Sequence, residues 1–386
     1  MKGHVRRRGR TSWAIVLDLG RGVDGRRRQK WHSVRGTRED AERELGRLLN
    51  EIGTGAYVEP ANISVADYLE RWLSDYAHST VAPKTFERYR EIIRSHVIPA
   101  LGKWKLVKLR PLHVQTFYSD ALNWGRKDGK GGLSRQTVVH FHRVLHKAFA
   151  HAVKWQLLSR NTIDAVQPPR AERKEMQALD DSEIAKLLQH VDGKLLNMPV
   201  LLAVTTGLRR GEILGLRWSD VDLKGLRLQV TQSLEQTSEG LRFKSPKTTR
   251  SRRTIALPGL TVEALRAHYV NQGKQRLQLG SAYEGHNLVC ARSDGAPWPP
   301  DHLSTAFSAL VRKSKLKRIR FHDLRHTHAT QLLRIGIHPK VVSERLGHSN
   351  IGITLDTYSH VLPGMQEAAA EALNMSIANA LKRSGD

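Results

Sequence analysis

The first sixty residues switch from strand to helix periodicity. Residues 13–19 alternate and are rich in branched side chains, as in a β-strand. A glycine-rich turn at 20–25 leads into a second strand, which begins at 26–31 and has a basic face. From Thr37 onward, apolar residues recur at helical spacing as far as Ile52. We therefore predict a small sheet backed by one helix.

Residues 63–155 show helical periodicity throughout. Helices are predicted from Ser64, from about 85 to 97, from about Pro111 and from Ser134. In the third of these helices, the side chains predicted to be buried are Leu112, Phe117 and Leu122. The aromatic residues have the spacing of a core, and we predict a core rather than base-stacking surfaces. The basic residues between them face either phosphate or solvent.

The rest of the chain mixes both periodicities. Residues 159–175 contain two consecutive prolines and a charged run, which indicate an exposed linker. Helical spacing resumes near Asp180, gives way to strand alternation at 221–257, and then returns. Within the strand region, residues 244–253 carry five basic residues and no acid, which predicts a basic hairpin.

These patterns predict a multidomain, mainly α fold with small antiparallel β-sheets, that is, an α+β protein. The predicted parts are a sheet-and-helix domain at 1–58, a helical domain at 62–158, a linker at 159–175 and a mixed α/β domain at 176–386. The last of these ends in a tail helix from about 365 to 382. Its apolar stripe consists of Ala369, Leu373, Ile377, Ala380 and Leu381.

The charge of the chain favours an anionic partner. Its 386 residues include 63 Lys and Arg against 37 Asp and Glu, a net charge of +26. Nucleic acid is the first candidate and an anionic membrane surface the second. The membrane interpretation is weak because there is no long apolar run, signal peptide or long basic amphipathic helix. A single cysteine, Cys290, fits a reducing compartment, so we expect a cytoplasmic protein without an intramolecular disulfide.

The candidate chemistry belongs to side chains rather than to a cofactor. Cys and His residues lack the spacing of a zinc site, and no glycine-rich phosphate loop is present, so we predict neither a metal nor a cofactor. Two imidazoles, a guanidinium and a phenol are concentrated between His322 and Tyr358. His322 and Arg325 are three residues apart and would share a helix face. This combination suggests an anion that is held while a tyrosine oxygen attacks it.

A second charged group lies upstream, around Arg209. This arginine follows an apolar helix and precedes an otherwise apolar segment, so it needs a fixed partner, because burying an unpaired guanidinium is costly. Glu212 can pair with it and leave N–H groups for a phosphate. Lys247, at the tip of the basic hairpin, can reach the same anion.

Four ordered motifs resemble those of the tyrosine recombinases, the phage integrase family. The motifs span Thr206–Glu212, His322–Thr327, Leu346–Ser349 and Thr354–Leu362. Any one of them would be a weak signal, whereas all four in this order are specific, and the resemblance covers nearly the whole chain. The catalytic residues it implies are Arg209, Lys247, His322, Arg325, His348 and Tyr358. Lys244, three residues before Lys247, is the alternative for the hairpin lysine.

The resemblance implies phosphoryl transfer to Tyr358, giving a 3′-phosphotyrosyl link and a free 5′-hydroxyl without ATP or a metal. Arg209 and Arg325 would clamp the non-bridging oxygens, each contributing roughly 3 kcal/mol to the transition state. His322 is the candidate base, Lys247 the candidate acid on the 5′ oxygen, and His348 would hydrogen-bond the phosphate.

Neighbouring histidines are predicted to lie outside the site. These are His326, His328 and His360. Asp323 is predicted to tie helices together. An isolated histidine or tyrosine is more often a core residue than a catalytic one, so only the complete set of motifs supports the catalytic interpretation.

The family resemblance implies a site-specific DNA recombinase or integrase of a phage or another mobile element. Its partners would be double-stranded DNA with core and arm attachment sites, and three further copies of the chain in a tetramer. Residues 1–58 would bind the arm sites, 62–158 would be the SAM-like core-binding domain, and 176–386 the catalytic domain. The tail helix would dock on a neighbouring subunit or, alternatively, on its own chain. The resemblance leaves open whether the enzyme also excises the element, and whether it needs a host DNA-bending protein and an excision factor.

Two other functions are compatible with the same fold. A type IB topoisomerase-like enzyme would share the chemistry, but the separate basic N-terminal domain and the tail helix count against it. A non-catalytic DNA-binding regulator would need none of the six catalytic residues, and all six are present.

Overall fold

The fold was obtained as a computed structural model, and the residues described are 3–21, 27–53, 62–126, 128–172, 176–245, 252–314, 316–358, 370–371 and 373–378. The chain forms two compact units, Met1–Arg173 and Lys174–Asp386. The predicted fold class, mainly helical with small antiparallel sheets, is confirmed. The predicted site residue Lys247 and the predicted non-site residue His360 lie outside the described residues.

A three-stranded sheet and one helix form the N-terminal part of the first unit. Its elements are β1 (Gly3–Gly9), β2 (Ser12–Arg21), β3 (Arg27–Arg35) and α1 (Arg38–Gly53). The strands are antiparallel in the order β1-β2-β3, and Ile15 and Leu17 of β2 are buried in one cluster with Leu48 of α1. The hydrophobic pattern does not predict β1, because this basic strand has a single apolar residue, Val5. Its strand structure depends on pairing with β2, where Val5 lies opposite Ile15.

The remainder of the first unit is helical, as predicted. Its helices are α2 (Val65–Trp72), α3 (His78–Thr80), α4 (Pro83–Ile92), α5 (Ile98–Leu101), α6 (Pro111–Trp124) and α7 (Arg135–Lys154). Turns of π-helix at Leu73–Ala77 and Ile93–Val97 and of 3-10 helix at Leu106–Lys108 and Thr162–Ala165 lie between or after them. Ser64 caps α2 and Ser134 caps α7. The core includes the fully buried Tyr68 and Trp72.

Two details of the helical region differ from the prediction. Leu112 is 71% exposed because the buried face of α6 is formed by Val114, Phe117 and the residues that follow at helical spacing, and Leu112 lies on the opposite side. The segment 159–175 is not uniformly an exposed linker, because Ile163 and Val166 are buried in the helical core.

The second unit mixes helices with short strands. Its helices are α8 (Asp181–Val191), α9 (Asn197–Thr206), α10 (Arg210–Gly215), α11 (Gly259–Leu279), α12 (Pro300–Lys313), α13 (Asp323–Arg334), α14 (Pro339–Leu346) and α15 (Ile351–Tyr358). Its strands are β4 (Val221–Asp222), β5 (Arg227–Val230), β6 (Ser233–Thr237), β7 (Gly240–Lys244) and β8 (Arg253–Ala256). Turns of 3-10 helix lie at Trp218–Asp220 and Gly280–Ala282. Helix α9 is apolar on all sides and is buried in the core, where α13 packs against it.

The strands form two antiparallel sheets. Strands β4, β5 and β8 pair in that order, and β6 pairs with β7 as a separate hairpin. The hairpin was not predicted because its strands are mostly polar and Leu234 is their one buried residue. The predicted basic segment 244–253 is described only at its ends, Lys244–Ser245 and Arg252–Arg253.

The described part of the tail is helical and exposed. Leu373 and Ile377, which belong to the predicted apolar stripe, are both exposed, as is Met375. No described helix has the length and apolar content needed to cross a membrane. Within the described ranges, no cluster of His, Cys, Asp and Glu side chains could hold a metal ion.

Candidate active site

The turn between α9 and α10 positions Arg209. Gly207 ends α9 with a φ of 68°, in the left-handed region that favours glycine. A Cβ at this residue would lie 2.6 Å from the His328 ring and 2.7 Å from Leu346, so a larger residue does not fit. Two residues later, Arg209 stands at the N-terminus of α10.

Glu212 fixes the Arg209 side chain, as predicted. Arg209 Nη1 donates to Glu212 Oε1 at 2.8 Å, and the Arg209 backbone N–H donates to Glu212 Oε2 at 2.9 Å. The carboxylate also accepts from a residue that the sequence pattern did not suggest, Arg253 of β8, at 2.8 and 3.2 Å. Glu212 and the Arg253 side chain are buried, whereas the Arg209 side chain is 40% exposed and can reach a ligand.

Arg253 and Arg209 stabilise the ionised form of Glu212. Burial alone would raise the pKa of this carboxyl, but hydrogen bonds and charge from Arg253, followed by Arg209, lower it to about 2. Glu212 is therefore ionised throughout the physiological range and balances part of the positive charge of the two guanidinium groups.

Three arginines bind the C-terminal end of α14, at consecutive carbonyl groups. Arg253 Nε donates to Arg345 O at 2.7 Å, Arg325 Nη2 to Leu346 O at 2.7 Å, and Arg209 Nη2 to Gly347 O at 3.3 Å. Carbonyls at a helix C-terminus lack partners within the helix and favour nearby cations. The Leu-Gly-His-Ser motif therefore has a local structural role, because the turn that it forms after α14 is bound directly by these three arginines.

Arg325 is the most buried of the predicted catalytic cations. It is 3% exposed, and its Nη1 donates to Gly207 O at 2.7 Å, so it joins the end of α9 to the end of α14. Burial, followed by the charge of Arg209, lowers the pKa of Arg325 from 12.5 to about 9, which leaves it cationic at neutral pH. A guanidinium has five N–H groups, so two structural hydrogen bonds leave donors for an anion.

The two predicted catalytic histidines reach the site from different helices. His322 stands at the N-cap position of α13 and is exposed, and desolvation by surrounding protein atoms, followed by the charge of Arg325, lowers its pKa. His348 follows the left-handed Gly347 and shares a hydrogen bond of 2.9 Å between its Nδ1 and Thr354 Oγ1. Burial and the charges of Arg325 and Arg209 lower the pKa of His348 to about 4, so its imidazole is neutral at neutral pH.

Tyr358 is the last residue of α15 and is 1% exposed. Its ring packs in an apolar cluster with Ala329, Leu333, Val342 and Leu346. Burial raises the pKa of the phenol to about 12, although Arg325 opposes this effect. The hydroxyl is hydrogen-bonded to His326 Nδ1 at 2.7 Å. The phenol is thus protonated and has a defined partner.

One cavity of about 370 Å³ connects these side chains. The predicted residues that line it are Arg209, His322, Arg325, His348 and Tyr358. The structure therefore brings together all predicted site residues that lie in the described ranges. Lys247 remains a prediction from sequence, and its alternative, Lys244, forms an ion pair with Glu235 of the β6–β7 hairpin.

His326 also lines the cavity, although it was predicted to lie outside the site. It is four residues after His322, and on a helix this spacing places both on one face, which is the signal that could have identified it. By contrast, His328 is structural: its Nδ1 bonds Val204 O at 2.8 Å, and its Nε2 accepts from Arg345 Nε at 3.1 Å. Asp323 binds Arg320, three residues before it, and among the described residues its carboxylate makes no hydrogen bond that joins two helices.

Comparison with known proteins identifies the family. The sequence pattern of the phage integrase family matches residues 177–364, and that of the phage integrase N-terminal SAM-like domain matches residues 64–122. Together these matches cover more than half of the chain. The chain belongs to the phage integrase family of tyrosine recombinases. The predicted enzyme class, a site-specific DNA recombinase, is confirmed.

Relatives along the whole length support this assignment. A XerC-like tyrosine recombinase of Caldanaerobacter subterraneus subsp. tengcongensis is 29% identical over 385 residues, covering 95% of this chain and 96% of that protein. Among solved structures, the Tn1549 transposon integrase in complex with a circular intermediate DNA has a TM-score of 0.69 at 21% identity, covering 81% of this chain and 99% of that one. A λ integrase tetramer bound to a Holliday junction has a TM-score of 0.54 at 19% identity and covers 90% and 95% of the respective chains.

Proposed function

We propose that this recombinase integrates a mobile element by cutting each DNA strand with Tyr358 and rejoining it to a new partner. One observation carries the proposal: Arg209, Arg325, His348 and Tyr358 come from four different helices or turns and converge on one cavity with His322. Buried residues with purely structural roles would not need to leave an open, cationic space between them.

The electrostatics of the cavity suit a phosphodiester. Among the described residues, Arg209, Arg253 and Arg325 surround the same helix end, and Glu212 is the carboxylate that balances them. The surplus positive charge would be offset by a bound phosphodiester anion. Arg209 and Arg325 would then donate to its non-bridging oxygens, where charge increases in the pentacoordinate transition state.

The strand transfer follows from these positions. The Tyr358 oxygen attacks phosphorus, the bond to the 5′ oxygen breaks, and the 3′-phosphotyrosyl link conserves the bond energy. His348 donates to the phosphate from its free ring nitrogen, since Nδ1 faces Thr354. Lys247 as the proton donor to the 5′ oxygen remains a prediction from sequence.

Partners and location follow from the family and the charge. We propose that the chain acts on duplex attachment sites as a homotetramer, as the λ integrase tetramer on a Holliday junction suggests. The exposed Leu373 and Ile377 of the tail are then available to a neighbouring subunit. The net charge of +26 supports a protein associated with DNA in the cytoplasm. A host DNA-bending protein and an excision factor would be additional partners of such an assembly.

A nicked suicide duplex tests the proposed function. The nick lets a short 5′-hydroxyl strand diffuse away after cleavage, so the enzyme stays attached to DNA. A covalent complex on a denaturing gel, with the DNA remnant mapped to the peptide that contains Tyr358, is the expected result. Absence of a covalent complex on a duplex that the protein binds, or attachment at another residue, contradicts the proposal.

Arg209→Ala is expected to slow cleavage about 10²- to 10³-fold, because it removes a preorganised donor from the transition state. Binding to the same duplex should change little, since many other basic residues contact phosphates. The matched control is Arg210→Ala, which removes a neighbouring arginine that instead binds Pro300 O and Ser304 Oγ. Single-turnover cleavage and gel shifts at one salt concentration separate the two effects. An equal loss of binding and cleavage would show that Arg209 contributes to DNA binding and does not stabilise the transition state specifically.

The N-terminal sheet is proposed to bind arm-type sites. Arg6 is exposed and lies opposite Ala14, on the other face of the sheet from the pair of half-buried Val5 and buried Ile15. The Arg8 guanidinium lies 5.7 Å from the ring centre of Trp31, which is 48% exposed. A basic face with an exposed aromatic ring suits contact with a DNA groove.

Arg6→Glu combined with Arg8→Glu is expected to abolish binding to arm sites while preserving binding and cleavage at core sites. The matched control is Arg38→Glu with Arg43→Glu, which makes the same change in charge on the exposed surface of α1. Gel shifts with isolated arm and core duplexes, repeated over a range of salt, give the measurement. Equal weakening by the two double variants would show that total charge, rather than this face, determines binding.

A further inference from the structure

The active-site cavity contains a histidine to which the preceding mechanism gives no role. His326 lies on α13, one helical turn after His322, and its Nδ1 is 2.7 Å from the Tyr358 hydroxyl. Among the described residues, it is the only hydrogen-bond partner of that hydroxyl. His322 contacts the ring of His326 instead, edge to face, with ring centres 5.2 Å apart.

We propose that His326 is a further catalytic residue, which accepts the proton of Tyr358 as its oxygen attacks the phosphate. The inference rests on the proposed function of Tyr358. It gives the base role to His326 in place of His322, because a base must reach the proton that it removes. His322, at the exposed edge of the cavity, is then available to hydrogen-bond the phosphate.

The direction of the hydrogen bond supports this role. Burial keeps the phenol protonated, and His326 Nδ1 is the one acceptor within reach of its hydrogen among the described residues, so we assign the hydroxyl as the donor and Nδ1 as the acceptor. His326 is then the neutral tautomer with its proton on Nε2. A neutral imidazole whose free nitrogen already faces the reacting hydroxyl needs no rearrangement before proton transfer.

Each bond that forms during cleavage is matched by a bond that breaks. The proton of Tyr358 moves to His326 Nδ1, and the oxygen lone pair forms the bond to phosphorus. The bond from phosphorus to the 5′ oxygen breaks, and a general acid, predicted to be Lys247, protonates that oxygen. In the rejoining step the 5′-hydroxyl attacks, its proton returns to the lysine, and imidazolium His326 returns its proton to the departing Tyr358 oxygen.

The surroundings of His326 make its basicity depend on bound DNA. The ionisable groups that face it are His322, Arg320, Asp323, Arg325, His348 and Tyr358. Burial, followed by His322, lowers the pKa of His326 to about 4 in the protein alone, while Asp323 acts in the opposite direction. A phosphate anion beside Arg325 offsets the cationic charge and so raises the pKa of His326. Proton transfer is therefore favoured only when the cavity holds its substrate.

A structural role would predict a different result from a catalytic one. His326→Asn keeps a hydrogen-bond acceptor near Nδ1 and can still hold the phenol, but the amide is not a base. Replacing Tyr358 by 3-fluorotyrosine makes the phenol more acidic and so reduces the need for a base. The two changes together separate proton removal from positioning.

Single-turnover cleavage of the nicked duplex by the full chain, measured against pH, tests the inference. We expect His326→Asn to slow cleavage about 10²- to 10⁴-fold at neutral pH, the usual contribution of a general base. The rate of this variant should rise continuously with pH, and 3-fluorotyrosine should restore at least about tenfold of the loss, since a more acidic phenol depends less on a base. His322→Asn should also slow cleavage, since it removes a contact to the phosphate, but its rate should neither rise continuously with pH nor recover with 3-fluorotyrosine.

Controls keep the outcomes distinct. His328→Asn changes a buried histidine of the same helix outside the cavity, and it should leave the shape of the pH profile unchanged. His326→Gln serves as a second variant if His326→Asn does not fold. Cleavage by either His326 variant within about threefold of the unmodified enzyme, or rescue by 3-fluorotyrosine in His322→Asn alone, overturns the inference. If the unmodified enzyme forms no covalent complex, the proposed function fails first, and the inference with it.

Discussion

Replacing Tyr358 by phenylalanine is expected to abolish covalent attachment to DNA while the fold and DNA binding persist. The ring is buried in an apolar cluster with Leu333 and Leu346, and phenylalanine fills the same volume. The substitution removes one hydroxyl and its hydrogen bond to His326, which should cost about 0.5–1.5 kcal/mol of stability. The proposed nucleophile is lost with the hydroxyl, so cleavage should fall to background.

The nicked suicide duplex and a denaturing gel measure this effect directly. Tyr269→Phe is the matched control, because Tyr269 is an exposed tyrosine that packs against Trp218 outside the cavity. It should retain full activity. Thermal unfolding and gel shifts on both variants show whether the loss is chemical. A covalent complex that survives Tyr358→Phe would mean that another residue is the nucleophile.

Glu212→Ala is expected to lower the free energy of unfolding by about 3–5 kcal/mol, because it removes the buried carboxylate that forms an ion pair with the buried guanidinium of Arg253. Arg209 loses its partner as well, and the three-arginine contact with the end of α14 loses the charge that balances it. Cleavage should therefore also decrease. Destabilisation of this size is well above that of an ordinary surface substitution.

Denaturant unfolding of Glu212→Ala and of Glu263→Ala, an exposed carboxylate of α11, gives the comparison. Glu212→Gln retains the shape of the side chain and should lie between them. A loss of less than about 1 kcal/mol for Glu212→Ala would show that water or rearrangement satisfies Arg253, so that the ion pair is not essential.

The same carboxylate predicts how stability depends on pH. The pKa of Glu212 is about 2 in the folded protein and 4.5 ordinarily, so the folded state favours the ionised form. Its contribution is fully present above pH 4.5 and is lost as the pH falls from 4.5 towards 2. The shift corresponds to roughly 3 kcal/mol, and Glu212→Gln should lack this part of the acid sensitivity.

The predictable parts of the site are those encoded by short motifs. Arg209 and Glu212 lie three residues apart on one helical turn, so their ion pair follows from local spacing. His322 and Arg325 are also three residues apart, and both side chains line the cavity. In each case a few neighbouring residues determine the geometry.

The unpredicted parts depend on contacts between distant segments. Arg253 binds Glu212 across 41 residues, because β8 lies beside α10 in the fold. His326 meets Tyr358 across 32 residues, because α15 folds back over α13. The spacing from His322 places His326 on the site face of α13, but only the fold shows that the Tyr358 hydroxyl lies beside it, whereas His328 contacts Val204 and Arg345.

The sequence by itself determined the fold class, the anionic partner, the family and the motifs that hold the proposed catalytic residues, because periodicity, charge and short motifs are local properties. The tertiary structure alone decided that three arginines bind successive carbonyls at the end of α14, that Tyr358 is buried, and that its hydroxyl faces His326. These features depend on which segments pack together, and packing sets both the distances and the burial from which hydrogen-bond strength and pKa arise.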